Sequence, residues 1–218
     1  MKANLLKLSL IAAAAFVVTN AQAADLPRPV YKAPAYVADP IFSWTGFYIG
    51  ANVGYGFGKS DWAFPAASTS PKGIMAGGQL GYNYQIGSFV FGLEGDYDYS
   101  GMKGDTACAG GTCTTKNTWL ATGRGRIGYA FDRFLPYITG GVAFGNIKAE
   151  HTVLGGASSN RTGYALGGGL EYAFLGAWSL RAEYLYVDLG SFDPGPAPIV
   201  NSVNFKANVV RAGINYRF

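Results

Sequence analysis

The sequence predicts an all-β protein, an eight-stranded antiparallel up-and-down transmembrane β-barrel, and three observations carry that prediction. Segments of alternating apolar and polar residues recur along the chain, and the links between them alternate between short and long. Glycine and aromatic residues are abundant, with 32 glycines, 15 tyrosines and 14 phenylalanines. No apolar run reaches the roughly 20 residues of a membrane-spanning helix, so a membrane crossing must use strands of about 9 to 11 residues.

The N-terminus has the pattern of a secretory signal peptide. Lys2 and Lys7 precede an apolar run, and an Ala-Gln-Ala tripeptide of the kind that signal peptidase cuts follows it. We predict a signal peptide over residues 1–23, cleaved between Ala23 and Ala24, with a retained membrane anchor as the minor alternative. Loss of Lys2 and Lys7 lowers the formal net charge from +4 to +2, and no Lys/Arg cluster remains that would favour a nucleic-acid partner.

Eight segments of the mature chain alternate as strands do. In the first, Phe47 and Ile49 share one face while Tyr48 and Gly50 share the other, because side chains alternate with period two. Only the fifth segment leaves its two faces undecided. We predict strands over residues 46–57, 74–84, 89–99, 114–129, 135–149, 162–173, 178–188 and 203–218.

The links between these segments predict an up-and-down meander. Tight turns are expected at 85–88, 132–134 and 175–177, and long polar loops at 58–73, 101–113, 150–161 and 189–202. Both termini then lie at the end with the short turns, and the long loops lie outside the cell. The predicted barrel covers residues 44–218, and a proline-rich periplasmic segment covers residues 24–43.

Alternation alone does not say which face points inward, since a soluble barrel with an apolar core has the same period. Two observations favour the membrane barrel. The polar face is crowded with glycines such as Gly50 and Gly92, which a narrow lumen needs and a water-facing surface does not. The apolar face carries aromatic residues at both strand ends, for example Tyr129 near a turn and Trp119 near a loop, which matches the two membrane interfaces.

The predicted lumen collects ten charged residues in equal numbers of each sign. Buried charges are costly unless they are paired, so this balance predicts ion pairs that plug the barrel. The competing interpretation is a narrow or gated channel lined by the same charges. The lumen residues are Glu94, Asp96, Asp98, Glu171 and Glu183 together with Arg124, Arg126, Arg181, Arg211 and Arg217.

The long loops hold few residues that suggest chemistry. Cys108 and Cys113 flank a glycine-containing stretch, and an exported chain meets an oxidising periplasm, so we predict a small local disulfide and no metal site. His151 is the only histidine. We read it as a solvated loop residue, with haem capture as an alternative and catalysis with a nearby serine strongly disfavoured. We therefore predict no enzyme and no cofactor.

The loop ends are basic, which suggests a lipid partner. Lysines on the rim could meet the phosphates of outer-leaflet lipopolysaccharide, each worth about 1 kcal/mol near an anionic surface. Solvation alone is the plainer interpretation. The rim cations are Lys59, Lys72, Lys103, Lys116, Lys148, Arg161 and Lys206. The proline-rich segment before the barrel is a candidate for a peptidoglycan or partner contact.

Three stretches resemble one known family. FSWTGFYIGANVGYGFG at 42–58, WLATGRGRIGYAFDRFLPYITGGVAFG at 119–145 and the C-terminal VVRAGINYRF are similar to the 25/31-kDa major outer-membrane proteins of alphaproteobacteria, relatives of the OmpA-like eight-stranded barrel. The resemblance implies an outer-membrane protein inserted by the barrel-assembly machinery. It also implies that the closing strand, with Ile214, Tyr216 and Phe218, is the assembly signal.

Members of that family are abundant surface proteins associated with envelope integrity and host contact, and some are called porins or haemin binders. We expect a monomer with a structural role that presents its loops outward. A narrow porin for small solutes is the first alternative. A surface receptor or adhesin, including a haemin binder, is the second.

Overall fold

The computed structural model describes residues 42–62, 67–108, 111–151, 155–192 and 203–218. The signal peptide, the cleavage site between Ala23 and Ala24 and residues 24–41 of the proline-rich segment lie outside the described residues. In the described ranges, no helix is long and apolar enough to cross a membrane.

All regular structure in these ranges is β-strand. The strands are β1 (Gly46–Trp62), β2 (Ala67–Thr69), β3 (Lys72–Ile86), β4 (Phe89–Cys108), β5 (Gly111–Tyr129), β6 (Phe134–His151), β7 (Gly155–Leu175), β8 (Trp178–Phe192) and β9 (Val203–Arg217). Each long strand pairs antiparallel with its neighbour in the chain, as a meander requires.

Eight of the nine strands form a closed ring. The order is β1-β3-β4-β5-β6-β7-β8-β9, and β9 pairs back onto β1 from Tyr48 opposite Arg217 to Trp62 opposite Val203. Closure leaves no edge strand unpaired in the ring. The predicted fold class is confirmed, with one difference in strand number. The three-residue β2 pairs with Ser60 to Trp62 at the far end of β1 and is not a member of the ring.

The strands extend well into the predicted loops. The stretch 101–113 is mostly a hairpin, because β4 runs to Cys108 and β5 begins at Gly111. The stretch 150–161 is likewise shortened, since β6 runs to His151 and β7 begins at Gly155. Backbone pairing supplies the hydrogen bonds in these extensions, so a polar sequence without apolar alternation can still be strand. The predicted loops 58–73 and 189–202 are shortened as well, since β1 runs to Trp62 and β8 runs to Phe192. The predicted lengths of all four long loops were therefore wrong.

The three short turns lie where the sequence predicts them and share one backbone conformation. Each contains a single residue in the left-handed region: Gly87 with φ 58°, Asp132 with φ 54° and Gly176 with φ 51°. Glycine and aspartate tolerate this conformation better than most residues. We call this end of the barrel the turn end and the opposite end the loop end.

The two faces of the sheet have opposite character. Tyr184 and Ile214 are 47% and 37% exposed on the outside, whereas Arg124 and Arg211 are 2% and 3% exposed in the lumen. The apolar face therefore points outward, where hydrocarbon takes the place of water. A soluble barrel with an apolar core would have the reverse arrangement.

Aromatic pairs on the outer surface mark both ends of this apolar band. At the turn end, the ring centroids of Phe47 and Tyr82 are 4.7 Å apart. At the loop end, Trp119 stacks on Tyr97 with centroids 5.9 Å apart. Such cross-strand pairs stabilise the sheet and suit the membrane interfaces.

Candidate functional site in the barrel lumen

The middle of the lumen holds a continuous network of ion pairs. Arg124 lies between three carboxylates, 2.6 Å from Glu94, 2.9 Å from Asp96 and 2.9 Å from Glu183. Arg211 contacts Asp96 at 2.9 Å and Glu183 at 2.7 Å. Both arginine side chains are almost completely buried. One guanidinium therefore links several strands at once.

The remaining members join the same network from other strands. Arg211 also contacts Asp98 at 2.7 Å. Arg181 contacts Glu94 and lies 2.8 Å from Glu183. At the turn end of the network, Arg126 lies 3.0 Å from Glu171. The structure thus brings together nine of the ten charged residues predicted for the lumen.

Strand register explains why these side chains meet. Glu94 on β4 is directly opposite Arg124 on β5, and Glu183 on β8 is directly opposite Arg211 on β9. All four lie on the inward face, so opposite charges face each other between neighbouring strands. Contacts across the lumen, such as that between Arg181 on β8 and Glu94 on β4, then connect opposite walls.

The network contains one more carboxylate than guanidinium. Neutral donors bind the carboxylates as well, including Tyr48 Oη to Glu94 at 2.6 Å and Tyr137 Oη to Glu183 at 3.1 Å. Ser179 Oγ donates to Glu171 at 2.6 Å. These neutral donors supply hydrogen bonds that buried charges require. The sequence analysis did not predict a role for these neutral donors. The alternation does place Tyr48 on the inward face, because its neighbours Phe47 and Ile49 are on the outward one.

Arg217 is not part of the network, contrary to the sequence-based prediction. The alternation of β9 places it on the inward face, but it lies at the turn end. Its guanidinium carbon is 4.3 Å from the ring centroid of Phe42 and 5.6 Å from that of Trp44. It forms no ion pair with any residue that the structure describes. Parity assigns a side chain to a face but not to a depth along the lumen.

An apolar layer closes the lumen at the turn end. Trp44 is 1% exposed there. Its Nε1 donates to the Asp132 carbonyl at 2.9 Å, and its backbone N–H donates to Gln85 Oε1 at 2.7 Å. The chain before β1 is thereby held across the mouth of the barrel. The layer consists of Trp44, Val90, Ala130, Leu135 and Ala173, with Phe42 packed against it.

A second apolar layer fills the lumen at the loop end. Sequence reasoning missed it, because the inward face was expected to be polar throughout. Its large members are Met75, Met102, Leu120, Ile147, Leu185, Leu189 and Phe205. The lumen thus has three layers, with the ionic network between two apolar ones.

Glycines on the inward face make room for these side chains. A Cβ atom at Gly92 would lie 2.5 Å from Asn83 Oδ1 and 2.9 Å from Arg126 Cγ. A Cβ atom at Gly169 would lie 2.6 Å from Tyr137 Oη. Real Cβ contacts of this length essentially do not occur, so the glycines are a packing requirement of the filled lumen.

The predicted disulfide falls at the tip of the β4–β5 hairpin. Cys113 is fully buried beside the loop-end layer and is disulfide-bonded. Thr106 is opposite Cys113, and Cys108 is opposite Gly111. The side chain of Cys108 lies outside the described residues, so its pairing with Cys113 stays a prediction.

Thiol counting checks this pairing. Because the chain has two cysteines, we expect the denatured protein to bind no thiol reagent before reduction and two equivalents after it. Mass spectrometry with a maleimide reagent measures both states. Two labelled thiols in the unreduced protein would rule out the bridge.

The three residues predicted as the assembly signal lie at the seam where the ring closes. Ile214 and Tyr216 are on the outer face of β9, and Phe218 N–H donates to the Phe47 carbonyl at 2.9 Å. The ring of Tyr216 packs 5.0 Å from that of Trp178. Recognition of these residues by the assembly machinery stays a prediction.

Comparison with known proteins agrees with this geometry. A family model described as the outer membrane protein beta-barrel domain matches residues 9–218. The chain belongs to this family. The 31 kDa outer-membrane immunogenic protein of Brucella melitensis biotype 1 is 36% identical to it, over 94% of this chain and 96% of that protein. The 25 kDa outer-membrane immunogenic protein of Brucella canis is 32% identical, over 88% and 86%.

A solved structure supports the fold of the outer membrane β-barrel family for this chain. Neisserial surface protein A is 16% identical, with a TM-score of 0.50 that covers 80% of this chain and 98% of that protein. The resemblance and the outer-membrane location that the sequence predicts are both confirmed by the family match and the named relatives.

Proposed function

We propose that this chain is a non-enzymatic, monomeric outer-membrane barrel with a structural role in the envelope, and that its lumen does not conduct solutes. The observation that carries this proposal is the three-layered lumen. Ions and water would have to pass two apolar layers as well as a network in which each charged side chain already contacts at least one of opposite charge.

The ionic layer supports a plug more than a channel lining. The side chains of Arg124 and Glu183 have no solvent exposure, and each contacts partners from more than one strand. Moving one of them aside would leave several buried charges without partners, which is costly in a low-dielectric lumen. A narrow porin would need such a movement for each opening.

The loop end supports a second role in surface presentation. The β4–β5 and β6–β7 hairpins extend beyond the apolar band, and outer-membrane barrels place such hairpins outside the cell. The two Brucella relatives are named immunogenic. We extend that surface exposure to this chain as part of the proposal. The side chain of His151 lies outside the described residues, and it adds no support for haemin binding.

Planar-bilayer recording tests the closed lumen. We expect the refolded protein to give no steady conductance steps at neutral pH in molar potassium chloride, because buried ion pairs are screened little by salt. Heat-modifiable gel mobility of the same sample confirms that the barrel is folded. Large and stable steps from folded protein would establish the porin alternative.

A further inference from the structure

Four lysines form a row across adjacent strands at the loop end. Lys72 on β3 is opposite Lys103 on β4, Lys103 is opposite Lys116 on β5, and Lys116 is opposite Lys148 on β6. None of the four is buried, and the neighbours Met102 and Ile147 point into the lumen. The four ammonium groups therefore lie on the outer surface at one level of the barrel. We call this set the lysine row.

Such an arrangement is unfavourable by itself. Strands are about 4.8 Å apart, so the row places four like charges within about 15 Å, and directly opposed like charges destabilise a sheet. Two anions offset part of this repulsion: Asp105 lies 3.0 Å from Lys103, and Glu150 lies 3.0 Å from Lys116. In the described ranges, Lys72 and Lys148 form no ion pair. The row keeps an excess of positive charge.

The position of the row is that of a lipid headgroup. On β5, Trp119 lies three residues from Lys116 towards the turn end, and its ring stacks on Tyr97 of β4. Aromatic residues of this kind mark the membrane interface, so the lysines lie just beyond it. Cations at this depth attract the phosphates of anionic lipids.

The surface below the row has room for acyl chains. On the outward face of the same strands, Gly95, Gly123 and Gly125 leave open space, because a Cβ atom at each would contact nothing closer than 3.6 Å. An outward groove of about 420 Å³ runs over β1, β3, β4 and β5, and its lining includes Leu80, Gly95 and Tyr97. Inward glycines make room for lumen side chains, but these outward glycines have no such partner.

We propose that the lysine row binds the phosphates of outer-leaflet lipopolysaccharide. The acyl chains of the same lipopolysaccharide molecule then lie in the glycine-lined grooves between the lysine row and the turn end. A headgroup with several phosphates fits a row of four cations better than a phospholipid with one. Bound phosphate removes the repulsion between opposed lysines. This inference depends on the membrane location of the barrel and not on whether the lumen conducts.

A pair of double variants tests the lysine row against general basic charge. Lys72→Gln with Lys148→Gln removes the two row members that have no ion pair. Lys59→Gln with Lys206→Gln removes the same formal charge from the neighbouring strands β1 and β9, where these two residues are opposite each other and Lys206 lies 3.6 Å from Asp188. All four side chains are exposed, so both proteins should refold, which heat-modifiable gel mobility verifies.

Binding is measured for refolded protein in micelles with bisphosphorylated lipid A, dephosphorylated lipid A and phosphatidylglycerol. We expect the row variant to bind bisphosphorylated lipid A roughly thirtyfold more weakly than the wild type, and the control variant to change less than about threefold. Equal losses in the two variants would overturn the proposal. So would wild-type binding of dephosphorylated lipid A or phosphatidylglycerol as tight as that of the phosphorylated form.

Stability without lipid gives a second readout. Because it relieves repulsion, the row variant should unfold at the same or a higher urea concentration than the wild type when lipid A is absent. Added lipid A should raise the midpoint of the wild type more than that of the variant, since ligand binding stabilises the folded state. A row variant that is less stable without lipid would instead assign the lysines a structural role.

Discussion

Replacing Arg124 by methionine is expected to lower the free energy of unfolding by about 3–5 kcal/mol, the range for breaking a buried ion pair. Arg124 contacts Glu94, Asp96 and Glu183. Methionine fills similar space but carries no charge, so three carboxylates would lose a partner in a network that already has an excess of acid. Urea unfolding of the protein in lipid vesicles, followed by tryptophan fluorescence, measures the loss.

Arg217→Met is the matched control for this substitution. Arg217 also has the inward parity, but it lies over the rings of Phe42 and Trp44 and outside the ionic network. We expect it to cost about 1 kcal/mol, the size of a cation–π contact. Similar losses for the two variants would show that the charges of the lumen add little to stability.

The second large effect is expected at Gly141, on the inward face of β6. A Cβ atom there would clash with the backbone carbonyl of Gly123 and would lie 2.7 Å from Arg124 Cα. Neither contact can relax by a side-chain rotation. We expect Gly141→Val to lose at least about 3 kcal/mol, at the upper end of overpacking, or to prevent refolding. The urea midpoint and the folded fraction on gels measure this.

Gly125→Val is the control for Gly141→Val, because it makes the same change on the outward face of β5. A Cβ atom at Gly125 would contact nothing nearer than 3.9 Å. Valine is also favoured over glycine in strands. We expect unchanged or slightly higher stability. Loss of folding in both variants would mean that the two glycines act through the backbone and not through space in the lumen.

The period-two pattern was enough to predict the faces of most strands. Phe47, Tyr184 and Ile214 lie outside and Arg124 and Arg211 lie inside, because one residue of slippage would exchange the two faces completely. The three tight turns could also be predicted from the sequence, because they need residues such as Gly87 and Gly176 that accept a positive φ.

The position of a side chain along the barrel axis could not be predicted from this pattern. The period-two alternation placed Arg217 on the inward face, but it does not show that this residue lies beyond the last carboxylate of the network. The alternation also did not predict the apolar layer that contains Met75 and Phe205. The short β2 and the hairpin that ends at Cys108 have polar sequences. Their strands are set by backbone pairing and not by an apolar face. The lysine row appears only when the register of four strands is known.

The seam between β1 and β9 has a consequence for biogenesis. Residues near the two ends of the barrel sequence, such as Ala51 and Ile214, become hydrogen-bonded neighbours only after the whole chain is available. Any shorter N-terminal fragment would present unsatisfied amides to hydrocarbon, which a bilayer does not tolerate. Translation and export must therefore be complete before insertion can finish. Until then, a chaperone is needed to cover the apolar residues that alternate along each strand and so keep the unfolded chain from aggregating.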